Sequence, residues 1–446
     1  MGGFDANGQT GRVTPTAPSP TTVPWTAPRA TGPVRATLAL PGSKSMTARA
    51  LVLSALSDEV STIAAPLRAR DTVLMAAGLR AMGCDVSTVD DTRWVVRPAP
   101  LQGPAHIDVG QAGTVLRFLP AVAALADGKV SFDGDASVRR RPLAPLLTAL
   151  RTLGVEIAAT DGTVLPLTVT GSGRVRGGET TIDASASSQF VSGLLLAAAR
   201  FDRGVRVRHV GPAMPSAPHL RMTVQMLRDA GIIVDDSSAD QWTVQPGGLT
   251  GRDWEIEPDL SGAAPFFAAA LVTGGTVTLP HWPQHSTQPV AEVAALISQF
   301  GGQLRSDADG LTVTGGGPIH GIDVDLAPIG ELTPVVAALA AIADGPSTLR
   351  GIGHLRGHET DRLAALAREL GGLGTDITQT DDGLRITPRP LRGGGFHTYD
   401  DHRMAHAAAV IGLVAPEVRL SDVGCTAKTL PEFATLWSGM VRDAGQ

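Results

Sequence analysis

The chain has 446 residues, 43% hydrophobic and 18% charged, with a formal net charge of −6; that length can bury a large core and favours two or more domains over one. The acidic balance argues against a general nucleic-acid binder, and the lack of any apolar run near the roughly 18 residues of a bilayer span argues against a membrane protein. Two distant cysteines, Cys84 and Cys425, without CxxC spacing indicate neither a disulfide framework nor a zinc site and suit a reducing cytoplasm.

Residues 1–34 are rich in Pro, Thr, Gly and Ala, lack the basic start and apolar stretch of a secretory signal, and read as a disordered leader. A strand is expected over 34–40. Pro41-Gly42-Ser43-Lys44-Ser45 then opens an amphipathic helix, capped by Ser43 or Ser45, with Lys44 and Arg49 able to face an anion at its positive end. An ordinary cap with two solvated cations would read the same way. Gly110-Gln111-Ala112-Gly113-Thr114 starts another helix carrying Arg117, and Gly113 permits close backbone approach to a ligand.

In Arg139-Arg140-Arg141-Pro142 a proline at helix position N1 would fix where Arg141 points; a solvated charge run is the plain alternative. Ser185-Ala186-Ser187-Ser188-Gln189-Phe190 sets three hydroxyls and an amide ahead of an apolar helix over 191–199, suited to a phosphate monoester beside a ring hydroxyl, or merely to capping. The Gly-rich stretch 245–252 is the expected hinge. His358-Glu359-Thr360-Asp361-Arg362 begins a helix in which Glu359 and Arg362, three apart, share a face, so a proton-transfer carboxylate can stand beside an anion-binding fork; a capping box with an ion pair is the alternative.

Asp401-His402-Arg403-Met404 begins an Ala-rich helix, and a cation there opposes the macrodipole preference and calls for an anionic partner. Lys428 sits in a loop running into the last helix. Cys425 is expected to pack rather than react, and no histidine or carboxylate spacing compels a metal. A small polyanion is the ligand these segments share, because Lys, Arg forks and bare N–H groups at Gly turns hold phosphate and carboxylate.

A repeat runs beneath the motifs. A helical stripe ends at glycine in segments starting at Leu79, Leu150, Leu227, Ile297, Ala367 and Val441, spaced 71, 77, 70, 70 and 74 residues. A β-type segment centred on Val60, Val130, Val205, Val277, Thr348 and Val418 keeps a similar period. Six units of two helices and several strands fit two domains of three units: 44–247, and 35–43 with 248–446.

The ordered set resembles the 5-enolpyruvylshikimate-3-phosphate synthases from about residue 34 onward. It rests on Leu40-Pro41-Gly42-Ser43-Lys44-Ser45, Ala112-Gly113-Thr114 with Arg117, Arg141-Pro142, Ser187-Ser188-Gln189, Glu359-Thr360-Asp361-Arg362, Asp401-His402-Arg403-Met404 and Lys428-Thr429. The resemblance implies an α/β fold, a two-domain inside-out barrel of six βαβαββ repeats with the active site in the interdomain cleft. It implies transfer of the enolpyruvyl group of phosphoenolpyruvate to the 5-hydroxyl of shikimate 3-phosphate, in a cytoplasmic monomer, with no metal or organic cofactor and with the herbicide glyphosate as a pocket ligand.

By position, Lys44, Gly113, Arg141, Gln189, Arg362, Arg403 and Lys428 look like the phosphoenolpyruvate cradle. Lys44, Ser45, Arg49, Ser187, Ser188, Gln189, Ser216, Glu331 and His358 look like the shikimate 3-phosphate contacts. Glu331, in Ile329-Gly330-Glu331, takes the place where many members have Asp and is assigned as base; Glu359, assisted by Lys44 or Lys428, is assigned to proton transfer at carbon. Ala48 and Gln111 stand where relatives have Asn, His358 where they often have Lys, and His219 where an aromatic residue is frequent. Two rivals are a UDP-N-acetylglucosamine enolpyruvyl transferase, disfavoured because no cysteine lies between Arg93 and Arg141, and a non-catalytic phosphometabolite sensor.

Overall fold

Six helices are apolar on nearly every face: Lys44–Ala55, Gly113–Ala123, Gln189–Ala198, Leu260–Thr273, Thr333–Ile342 and His402–Gly412. A helix without a polar stripe has to be surrounded. In the computed structural model, which describes residues 22–90, 92–160 and 164–444, the first three are the centre of one hydrophobic core and the last three the centre of a second. More amphipathic helices such as Ala217–Asp229 and Arg362–Gly372 bury one face and expose the other.

The sheets lie outside these helices and repeat one pattern. In one, Ala105–Asp108 pairs in parallel with Asp127–Asp133, which pairs antiparallel with Val164–Ser172, which pairs antiparallel with Glu156–Thr160. Among the described residues five sheets have four strands in this order, and the sixth has three. The β-segments expected near Val60, Val130, Val205, Val277, Thr348 and Val418 are, within one residue, members of the parallel pairs. The helix-ending glycines Gly83, Gly154, Gly231 and Gly301 hold φ between +87° and +103°, where a side chain would be strained. In the fifth unit Gly371 stays inside Arg362–Gly372 and Gly374 takes the positive φ instead. Gly445, the sixth, lies outside the described residues.

From residue 22 the described chain runs in the second body, crosses to the first near Gly42, and returns near Pro258. The crossings are hydrogen-bonded to each other: Ser43 N–H donates to Glu257 O at 2.7 Å and Asp259 N–H to Pro41 O at 3.0 Å. Gly42 is required there, since a Cβ would meet Ala65 O at 2.1 Å.

Two expected boundaries move. Residues 245–252 are not the hinge: Leu249 is buried in the first core, and Asp253–Glu255 pairs in parallel with Ser61–Ala64, so the first body runs on past 247 to about 256. The glycines there serve close packing, Gly248 against Asp58 and Gly251 against Val60. The disordered leader expected over 1–34 does not hold where the structure describes it, from residue 22 onward. Residues 1–21 lie outside the described residues, but Trp25–Thr26 pairs antiparallel with Val418–Leu420 and completes the sixth sheet, while Ala27 and Val34 are buried. Among the described residues no helix is long and apolar enough to cross a membrane.

Candidate active site

Helices starting at Lys44, Gly113, Gln189, Arg362 and His402 all begin in the wall of one cavity between the two bodies. Three are capped by the side chain of the preceding residue: Ser43 accepts from Met46 N–H at 3.4 Å, Asp361 from Ala364 N–H at 3.0 Å and Asp401 from Arg403 N–H at 2.9 Å. Convergent helix N-termini make a positive field before any side chain is counted.

Five cationic side chains line the cavity, Lys44, Arg117, Arg141, Arg362 and Arg403, against three carboxylates, Asp71, Glu331 and Glu359. Glu359 is the meeting point. Lys428 Nζ donates to its Oε1 at 2.7 Å, Arg362 NH2 to its Oε2 at 3.0 Å, and Arg141 NH2 lies 3.6 Å away. Arg362 is fixed from behind by Asp401, at 2.8 Å from Nε. Arg141 NH1 donates to Gln111 O at 3.0 Å, and Arg117 NH1 to Gln189 Oε1 at 3.0 Å.

These bonds leave donors unspent. Arg141 Nε and NH2 and Arg117 Nε are buried with no hydrogen-bond acceptor among the described residues, and the buried Arg403 side chain has no carboxylate within ion-pair distance there. Unpaired buried donors of charged groups are costly, and an anion in the cavity would satisfy them. Gly113 leaves it room: a Cβ there would stand 2.9 Å from Arg117 NH1 and 3.4 Å from Arg141 NH1.

Burial raises the Glu359 carboxyl, but Lys428, Arg141 and Arg362 outweigh it and hold the group well below the ordinary range. Glu331 behaves alike: burial opposes, and His219, Arg403, Lys44 and Arg362 bring it down. Both are carboxylates at neutral pH. Burial and the neighbouring Arg141 pull Arg117 down to about 9. Burial and Arg362 push His358 well below its usual value, so it stands in the wall as a neutral imidazole. Burial pushes the Cys425 thiol up to about 12, and it packs.

Of the expected residues, Lys44, Ser45, Gly113, Arg141, Ser187, Gln189, Glu331, His358, Glu359, Arg362 and Arg403 face the cavity, and Lys428 reaches it through Glu359. Three do not face it. Arg49 is 1% exposed, with its guanidinium donating to Thr223, Ser192 and the carbonyls of Ser45 and His219; it ties three helices together behind Ser45. Ser188 is buried and donates to Ser216 O. Ser216, at φ +56°, gives its N–H to Ala327 O across the cleft at 2.8 Å. Pro142 is not at N1 either, because the helix begins at Ala144.

Asp71, Thr114 and His402 also line the cavity. Asp71 sits 3.4 Å from Lys44 Nζ, and its only sequence signal is an acid in the first turn of Arg70–Ala81. Gln111, one of the departures, bonds Asp400 across the two bodies.

Residues 28–437 match the family described as EPSP synthase (3-phosphoshikimate 1-carboxyvinyltransferase). The chain is 51% identical over 432 residues to a 3-phosphoshikimate 1-carboxyvinyltransferase of Kocuria rhizophila, covering 94% of this chain and 97% of that protein. The solved EPSP synthase of Acinetobacter baumannii superposes with a TM-score of 0.78 at 23% identity, over 94% of this chain and 98% of the other. The enolpyruvyl transferase NikO from Streptomyces tendae gives 0.74 at 18% identity, with the same coverage of each. At those identities the structures speak for the fold, a two-domain inside-out α/β architecture.

Proposed function

The chain belongs to the EPSP synthase family, and from that premise we propose how its residues divide the chemistry. The reaction is transfer of the enolpyruvyl group of phosphoenolpyruvate to the 5-hydroxyl of shikimate 3-phosphate, with release of phosphate. The observation that carries the assignment of the cradle is the set of unspent buried donors on Arg117 and Arg141 around Glu359. Phosphoenolpyruvate brings a carboxylate and a phosphate, and forks held in place before binding stabilise the charge that develops as phosphate leaves. Lys44, Gly113, Arg141, Gln189, Arg362, Arg403 and Lys428 hold it. Ser45, Ser187 and His358 take shikimate 3-phosphate, with Ser188 and Ser216 supporting them from behind. Contact by Arg49 requires its present bonds to be exchanged.

Glu331, ionised, removes the proton of the 5-hydroxyl as its oxygen bonds to the central carbon of phosphoenolpyruvate. The methylene carbon takes a proton from the Glu359–Lys428 pair, giving a tetrahedral intermediate. Glu359 then accepts a proton back from the methyl group as phosphate departs. Being ionised, Glu359 is free to accept in the second step, and a bound trianion lifts its carboxyl by its own field and so strengthens it as a base; the first step draws on the Lys428 ammonium 2.7 Å away. One chain supplies both walls of the site, which supports a monomer, and a soluble biosynthetic enzyme with unpaired thiols supports a cytoplasmic place.

The test is phosphate release from phosphoenolpyruvate, expected with shikimate 3-phosphate and not with UDP-N-acetylglucosamine; the reverse result overturns the reading. Glu359→Gln is expected to lower kcat by about 10²–10⁴-fold, the usual span for a lost acid–base group.

A further inference from the structure

A carboxylate–imidazole contact spans the two bodies. His219 Nε2, in the first turn of Ala217–Asp229, lies 3.6 Å from Glu331 Oε2, in the Ala327–Leu332 turn of the second body. Glu331 is a partition: one side faces the cation-lined cavity, and the other faces a smaller cavity that His219 also lines, with Ser43, Ser261 and Gln288. The His219 turn is fixed in place, since its carbonyl accepts from Arg49 NH2 and from the Thr223 hydroxyl, each at 2.9 Å.

We propose that His219 and Glu331 work as one proton relay for the acceptor hydroxyl. The inference rests on the assignment of Glu331 made above. As the hydroxyl oxygen bonds to the central carbon of phosphoenolpyruvate, its O–H bond breaks and the proton goes to the Glu331 carboxylate. Glu331 passes it to His219 Nε2, and the restored carboxylate holds the imidazolium until the products leave and solvent takes the proton. His219 thus acts through Glu331 as a positioning and proton-storing residue. The gap of 3.6 Å is longer than a hydrogen bond, as such pairs often are before substrate tightens them.

The charges around the pair fit this direction of transfer. Burial lowers the His219 pKa, with Arg49 and Arg403 adding to it and Glu331 and Asp259 opposing. The imidazole is therefore neutral at neutral pH and able to accept. Glu331 in turn faces Arg403, Lys44 and Arg362, which make it a carboxylate that sheds its proton readily. The two residues approach only when the bodies meet, so the relay is assembled by closure.

The experiment is steady-state phosphate release by the full chain from pH 5.5 to 8.5. His219→Gln is expected to lower kcat by about 10–100-fold, the cost of losing a partner that orients a reacting group, with KM for both substrates within about threefold. The relay gives the unaltered enzyme an acid limb in kcat, and in His219→Gln that limb should disappear, because the group that must be neutral is gone. The double variant His219→Gln/Glu331→Gln should be no slower than Glu331→Gln alone. A kcat within twofold of the unaltered enzyme, a loss carried by KM alone, or full additivity in the double variant overturns the relay. Thermal unfolding checks the fold, and His219→Asn is read the same way if the glutamine variant does not fold. If the unaltered enzyme releases no phosphate with shikimate 3-phosphate, it is the reaction assignment that has failed, before any variant is compared.

Discussion

Gly113 sits where three site residues leave no room: a methyl group would meet Arg117 NH1 at 2.9 Å, Gln189 Oε1 at 3.3 Å and Arg141 NH1 at 3.4 Å. Gly113→Ala is expected to raise KM for phosphoenolpyruvate by about 10–200-fold, the usual reach of one misplaced carbon in a binding pocket, with KM for shikimate 3-phosphate far less affected. A proportional rise in both would place the glycine elsewhere than in the phosphoenolpyruvate cradle. At this scale a motif that combines charge with a helix start, as at Lys44 and Arg403, was legible as cavity wall; Arg141 lines the cavity too, but from a turn ahead of its helix. Arg49 and Ser188 turn away from that wall, which spacing alone does not reveal, because a polar side chain one turn from a ligand and one turned into a helix packing recur at the same interval. Asp71 left no distinctive trace, since acids are common in first turns.

The inner helix His402–Gly412 makes a different trade. His402 and His406 are buried with rings 5.8 Å apart, and neither has a hydrogen-bond partner on its ring nitrogens among the described residues. Burial, with Arg403 adding to it, lowers the His406 pKa to about 3, against about 6.5 in the unfolded chain. Between those values the unfolded state binds the proton and the folded state does not. Stability from this group is therefore complete above about pH 6.5 and falls as the pH drops toward 3, by about 1.4 kcal/mol per pH unit. Urea unfolding from pH 7 to 5 should show this slope, and His406→Leu should remove one histidine's share of it; an unchanged slope would refute the buried-neutral reading. The element pattern itself was readable because helix-ending glycines carry a conformational demand that no other residue meets cheaply. The fifth unit slipped by three residues because Gly371 and Gly372 can also continue a helix, and periodicity alone does not choose among neighbouring glycines.

The whole molecule is a first body inserted into a second through two adjoining crossings. The Gly-rich stretch looked like the junction because glycine marks loops, yet here it brings backbones together inside the first body. What ties 248–256 to that body is Leu249, Trp254 and Ile256, all buried, with Trp254 Nε1 donating to Ser54 Oγ at 3.1 Å. A fragment of residues 43–257 is accordingly expected to unfold cooperatively on heating, and a fragment ending at 247 to show no such transition by circular dichroism. Equal behaviour of the two would move the boundary back. The opposite end was hidden for a related reason: a two-residue strand amid prolines has no periodicity to read, and only its pairing gives it meaning.

That pairing sets a schedule for synthesis. Val23 N–H donates to Asp422, 399 positions further on, and Trp25 lies against Leu420, so this strand leaves the ribosome long before its partner does. At about 5–20 residues per second it waits on the order of 20–80 s. The first body can mature meanwhile, while the sheet just ahead of the Lys428 turn closes only after residues 418–420 have been made, and catalytic competence waits for that closure and for Lys428.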